Sequence, residues 1–289
     1  MLLFLILTLP LLGSFSQEIP INGYFLKDNF SKNFTISNHP IPYNCLSFKA
    51  AYSDNLDEFE DTYKSPIIEN LKIIILFSDE SIFDIKILDD RNKRYEIPSK
   101  IPFPKDSTLK ASCISIERAL LNKPEDARSN FHIFLNKTEE KFEFDQADLL
   151  YKITLIKKPF AIQVVRKSTG ESIYNTINSS FIFTDKYIEI QNKIKTDFIM
   201  GFGERNFKSK LDIGDIYTTW SRDEPNEIED GWPPGKNTYG YHPMYLAKEA
   251  SGNFNIGFLR ISNAFDLLLM NDSFKIITVI YFLLAIFDN

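Results

Sequence analysis

The chain has 289 residues, a formal net charge of −6, and a composition that is 44% hydrophobic and 25% charged. That length can hold one large domain or two ordinary ones with a sizeable core. The acidic balance leaves no basic stripe to replace phosphate counterions, which argues against a nucleic-acid partner and leaves neutral or cationic ligands.

The chain opens "MLLFLILTLPLLGSFSQ", an apolar run from Leu2 to Leu12 followed by Ser14-Phe15-Ser16. This is the layout of a secretory signal over residues 1–16, with small residues at the cleavage positions. The run is too short for a bilayer, which needs roughly 20 residues, so a cleaved signal is favoured over a signal anchor. A secreted or lumenal location follows, a lysosome-like compartment included. Five Asn-x-Ser/Thr sequons, at Asn29, Asn33, Asn136, Asn178 and Asn271, agree with export and are the glycosylation candidates. Two cysteines stand at Cys45 and Cys113. An oxidising compartment would let them pair; buried free thiols are the alternative.

Further along, short segments alternate with period two. They are "LKIIILF" (71–77), "IFDIKIL" (82–88), "FHIFL" (131–135), "KFEFD" (141–145), "LYKITLI" (150–156), "AIQVVR" (161–166), "FIFTDKYIEIQ" (181–191), "NFNIGFLRI" (253–261) and "AFDLLLM" (264–270). Polar turn formers separate them, and no long helical pattern intervenes. The pattern predicts an all-β domain, an antiparallel β-sandwich, over residues 17–273. The acidic run 54–62 reads as a solvated loop, since its carboxylates lack the EF-hand order. Residues 97–108 form a Pro-rich connector. The end of the chain, "IITVIYFLLAIF" (276–287), is almost wholly apolar but too short for a stable membrane span. Its residue types favour a strand, which either joins the sandwich or leaves an apolar patch.

Catalytic signatures are scarce. The three histidines, His39, His132 and His242, are scattered, and no zincin helix, paired-Cys motif, nucleophile elbow or Walker loop occurs. "GFGER" (201–205) lacks the third glycine and the strand–helix setting of a phosphate loop. Chemistry concentrates instead in "YTTWSRDEPNEIEDGWPPGKNTYG" (217–240), with four aromatics, five carboxylates and a Pro-Pro-Gly that excludes helix and strand locally. A long structured loop of this kind is usually functional. Within it, Trp220, Arg222 and Asp223 put an apolar ring face, a guanidinium and a carboxylate within four residues. That set suits a sugar, which stacks its C–H face and hydrogen-bonds its hydroxyls. An internal Arg–Asp bridge beside a core tryptophan satisfies the same residues.

Six segments in order, "PFAIQVVRKSTGESIYNT", "FIFTDKYIEIQNKI", "DFIMGFGER", "YTTWSRDEPN", "GKNTYGYHPMYLA" and "FNIGFLRISNAFDLLL", resemble the amino-terminal region of glycoside hydrolase family 31, the α-glucosidases and maltases. The resemblance is strong over about 150–270 and looser over 40–150. It implies a galactose-mutarotase-like amino-terminal β-sandwich that precedes a catalytic barrel and sends a loop over the barrel's mouth. The family's sugar-binding Asp carries over to Asp223, with Arg222 beside it and Trp220 nearby. The barrel's nucleophile segment and acid/base Asp have no counterpart in this sequence, so no residue here is expected to be catalytic and the chain alone is expected to be inactive. Residues 274–289 then stand as an apolar tail at the start of the barrel. The implied ligands are α-linked glucose oligosaccharides, and no cofactor is implied. The alternative expectation is a free-standing secreted carbohydrate-binding module.

Overall fold

The structure is a computed structural model, and it describes residues 22–27, 39–41, 45–53, 65–77, 83–93, 114–115, 133–145, 149–196, 198–205, 209–219, 221, 237–258, 266–270 and 273–279. The expected signal at 1–16 and the sequon residues Asn29, Asn33 and Asn271 lie outside them. The described residues form strands and turns without a helix, in four sheets. Every strand pair is antiparallel except one.

Alternation explains the first layer. In β4 (Asn70–Phe77) the residues Leu71, Ile73, Ile75 and Phe77 are buried, while those between are half-exposed. It lies between β3 (Cys45–Tyr52) and β5 (Phe83–Asp89), with β1 (Tyr24–Leu26) and β6 (Ile114–Ser115) both on β3. The β3–β6 pair is the parallel one, Leu46 opposite Ile114. Cys45, 4% exposed at the start of β3, is disulfide-bonded. The other cysteine, Cys113, directly precedes β6 in sequence and is not among the described residues.

The facing layer has the order β11 (Ser172–Asn175), β10 (Ala161–Arg166), β9 (Tyr151–Ile156), β8 (Lys141–Asp145), β7 (Ile133–Lys137) and β2 (His39–Ile41). In β8, Phe142 and Phe144 point inward and Lys141 and Glu143 outward. The two layers meet through rings: Phe48 lies 5.6 Å from both Phe142 and Phe144, and Phe83 lies 5.8 Å from Tyr151. Face-to-face burial of this kind makes a sandwich core. On the outer face Glu143 sits between Lys141 and Lys152 at 2.9 and 3.0 Å. Burial pushes its carboxyl up, but hydrogen bonds from the two lysines outweigh burial and hold it below the ordinary value.

A second pair of sheets continues the fold. One has the order β12 (Phe181–Phe183), β13 (Tyr187–Lys193), β19 (Ser273–Val279), β18 (Asp266–Met270) and β15 (Ile216–Thr218). The other is β14 (Ile199–Gly201), β16 (Met244–Lys248) and β17 (Phe254–Phe258). Between them is a separate core containing Phe202, Tyr217, Tyr245, Leu267 and Phe274. Buried Tyr24 links the halves, its hydroxyl 2.9 Å from the Ile68 carbonyl and 2.8 Å from that of Phe183.

Two sequence expectations change in detail. "FIFTDKYIEIQ" is two strands, because the Thr184 hydroxyl accepts hydrogen bonds from the Lys186 and Tyr187 amides and turns the chain. The expected boundary after residue 273 falls inside β19, which is hydrogen-bonded on both sides, to β13 and to β18. Phe274 is fully buried at its start. Phe274→Ala should therefore lower the unfolding free energy by about 3–5 kcal/mol, the range for deleting a core ring, as measured by chemical denaturation.

Candidate functional site

The 217–240 stretch begins and ends on rigid structure. Its entry is β15, paired with β18 through Tyr217 opposite Leu267, and Thr219 beyond it is completely buried. Its return is Asn237, 1% exposed, followed by Thr238 and then by β16. Ser221 is exposed. The three sugar-binding candidates, Trp220, Arg222 and Asp223, lie outside the described residues.

The return arm is zipped to the "GFGER" segment. Phe202 N donates to Met244 O at 2.8 Å, His242 N to Gly203 O at 2.5 Å, Glu204 N to Gly240 O at 3.2 Å and Thr238 N to Glu204 O at 3.1 Å. The Glu204 carboxylate also accepts from the Gly240 amide at 3.0 Å. An isolated antiparallel bridge joins Arg205 to Asn237. The segment that lacks the features of a phosphate loop is thus the hydrogen-bonded partner of the loop's return arm. The signal was present in the sequence as two Gly-punctuated motifs, but nothing local announces that they pair.

Close approach explains the first glycine. Gly201 has φ +119°, and a Cβ there would lie 2.2 Å from the Met244 carbonyl oxygen. Next to it Phe202 adopts φ 50°, a conformation that costs a non-glycine residue about 1–3 kcal/mol and persists only when its surroundings hold it. Here the holding is visible: the Phe202 ring is fully buried, stacked on Tyr245 at 5.6 Å and packed edge-on to Phe274 at 6.4 Å. Across the hairpin, Gly257 leaves room for the Tyr245 ring, whose nearest atom is 2.1 Å from where a Cβ would stand.

Arg205 completes the neck of the loop. Its Nε donates to Phe202 O at 2.8 Å, a terminal nitrogen donates to Thr218 O, and the guanidinium lies 5.4 Å over the Tyr217 ring. Tyr217 is fixed in turn by the Asp212 amide, which donates to its hydroxyl oxygen at 2.7 Å. Among the described residues no cluster of His, Cys, Asp and Glu could hold a metal ion. No described helix is long and apolar enough to cross a membrane.

The chain is 32% identical to the lysosomal acid α-glucosidase of Tetrahymena pyriformis over 201 residues, 70% of this chain and 18% of that protein. It is 30% identical to the intestinal sucrase-isomaltase of Oryctolagus cuniculus over 215 residues, 72% of this chain and 9% of that protein. In fold it is similar to a family 31 dextranase of Flavobacterium johnsoniae, with TM-score 0.53 and 14% identity over 85% of this chain and 25% of that one. The chain belongs to glycoside hydrolase family 31. A second family 31 likeness in fold is the glucosidase II α subunit, with TM-score 0.54 and 8% identity over 89% of this chain and 31% of that one. No protein-family model matches the chain. This family 31 chain spans about a fifth or less of the length of the two curated relatives named above.

In the family 31 chain the Gly201–Phe202 corner sets where the loop returns. Gly201→Ala should cost about 2–3 kcal/mol, because it adds a backbone clash to an unfavourable φ. Thermal unfolding of the variant measures it.

Proposed function

We infer that this chain is the amino-terminal β-sandwich region of a secreted or lumenal α-glucosidase-type hydrolase, and that it supplies the 219–236 loop to a sugar site in the family's catalytic barrel. The observation that carries the reading is the relation to α-glucosidases at about 30% identity over some 70% of the chain, while the same match takes up only 9–18% of those proteins. A short stretch of a long hydrolase fits a supporting domain, because the family's chemistry belongs to two oriented carboxylates of the barrel. An outward apolar strip on the β16–β17 hairpin supports it too: Met244, Phe254 and Ile256 are 49%, 50% and 71% exposed. Contiguous exposed apolar residues mark a surface that another part of a protein covers.

In this reading residues 1–16 are a removed signal, and the sandwich extends from residue 17 through β19, with the following residues leading toward the barrel. The names of relatives agree with a lumenal setting, since they include lysosomal and intestinal enzymes. Asp223 and Arg222 hydrogen-bond an α-linked glucose oligosaccharide, and Trp220 flanks it. Calorimetric titration with maltotriose at millimolar concentration tests the loop. Heat from the isolated chain, without turnover of a chromogenic α-glucoside, favours a free-standing binding module; no heat favours a loop that needs the barrel. In a chain that includes the barrel, Asp223→Ala should weaken substrate binding by about 1–3 kcal/mol, the range for a lost charge-assisted hydrogen bond. Unchanged affinity would make Asp223 a loop-stabilising residue.

Export also assigns the covalent modifications. Asn178 stands exposed in the turn between β11 and β12, at φ 50°, which suits a glycan acceptor. Asn136 lies in β7 and competes less well, since its backbone is engaged in the sheet. Cys45 is disulfide-bonded and Cys113 is the one other cysteine of the sequence, which supports a Cys45–Cys113 pair. Closing so long a loop stabilises the fold by about 4 kcal/mol in the chain-entropy account. Peptide mass spectrometry of secreted protein should find a Cys45–Cys113 peptide that disappears on reduction and a glycosidase-sensitive mass on the Asn178 peptide. Free thiols at both positions would count against an oxidising compartment.

A further inference from the structure

The neck of the loop raises a question that the sugar-binding residues do not answer: what sets the direction in which the segment leaves the sandwich. Its two ends belong to different sheets. Thr218 closes β15 in the five-stranded sheet, and Asn237 precedes β16 in the three-stranded one. No strand pairing joins β15 to β16. Between them stands Arg205, whose backbone bridges Asn237 and whose guanidinium donates to the Thr218 carbonyl.

We propose that Arg205 is a positioning residue: it holds the two ends of the 219–236 segment in a fixed relation and so aims that segment. The proposal deepens the reading of the loop as a sugar-binding element and rests on that reading only for what the segment meets. Three features carry it. The guanidinium makes two divergent bonds, to Phe202 O and Thr218 O, which a planar fork can do and a single ammonium cannot reproduce with the same geometry. It lies over Tyr217, itself 3% exposed, so both bonds are made from a shielded position. The Asn237 end is fixed independently: its side-chain amide donates to Gly240 O at 2.5 Å, and the Thr238 amide donates to Glu204 O.

The test exploits an accident of composition. Both tryptophans of the chain, Trp220 and Trp232, lie in the segment, so intrinsic tryptophan emission reads this segment alone. Arg205→Ala and Arg205→Lys are compared with the wild-type chain by tryptophan anisotropy, by tryptic cleavage after Arg222 followed by mass spectrometry, and by thermal unfolding. The expected result is lower anisotropy and cleavage about tenfold faster in both variants, since proteolysis follows the population of the open form. The thermal midpoint of the Lys variant should stay near wild type. Should the Ala variant fail to fold, the Lys variant, which keeps the charge and the aliphatic stem, decides. Wild-type anisotropy and cleavage in Arg205→Lys overturn the proposal. So does a fall in anisotropy that only accompanies an equal loss of global stability. Titration with maltotriose separates this from the sugar reading: a wild-type chain whose tryptophans ignore the sugar, beside variants with a loosened segment, leaves the Arg205 role standing and removes sugar binding by the chain alone.

Discussion

Three rings, Phe202, Tyr245 and Phe274, depend on one another for burial. Each comes from a distant part of the sequence, and together they form the centre of the second core. Removing water from such rings is the dominant favourable term available here, about 25 cal/mol per Å² of apolar surface. That gain holds Phe202 in its left-handed backbone conformation and forces the close approach that only Gly201 permits. It also places β19 between β13 and β18. The geometry of the loop's return arm follows from this packing together with the hydrogen bonds that join Glu204 to Thr238 and Gly240.

Polar contacts then fix how the layers sit. Arg166, at the end of β10, meets the buried Glu249 beyond β16 through two bonds, Nε–Oε2 at 2.8 Å and a terminal nitrogen to Oε1 at 2.6 Å. A buried pair of this kind contributes little net stability, yet removing one partner leaves an uncompensated charge that costs about 3–5 kcal/mol. Its effect is therefore on specificity of arrangement. Beside it, Glu171 accepts from the Ser251 hydroxyl and amide, and the hydroxyl bond is the main reason its carboxyl sits below the ordinary range. The six-stranded sheet and the three-stranded sheet are joined here by side chains, where no backbone ladder runs between them.

The two arginine clamps, Arg166 between the sheets and Arg205 at the neck of the loop, act on different parts of the fold. Arg166 is matched to a carboxylate, which locks two sheets. The guanidinium of Arg205 donates to backbone carbonyls on two segments, which fixes chain direction. In the proposed function the segment lies over a separate catalytic domain and needs support of the Arg205 kind, since a binding group set about 1 Å from its place is largely lost.

Read without coordinates, the sequence determined the class of the fold, most strand positions and the family. Period-two alternation is a local property, and Leu71, Ile73, Ile75 and Phe77, or Phe142 and Phe144, declare their buried face unaided. The strand Cys45–Tyr52 escaped because it is buried on both faces, so "CLSFKAAY" shows no alternation, and its alanines have weak strand preference. The role of Trp220, Arg222 and Asp223 was legible as chemistry and as family resemblance, and it stands as a proposal. Only tertiary structure decided that β19 joins β13 across some eighty residues, that "GFGER" pairs with "NTYGYH", and that Arg205 touches Thr218. The physical reason is degeneracy: many strands here are equally apolar, so any of them could pair by local preference. The choice among partners is made by which rings can be buried together, a property of distant residues that no single segment contains.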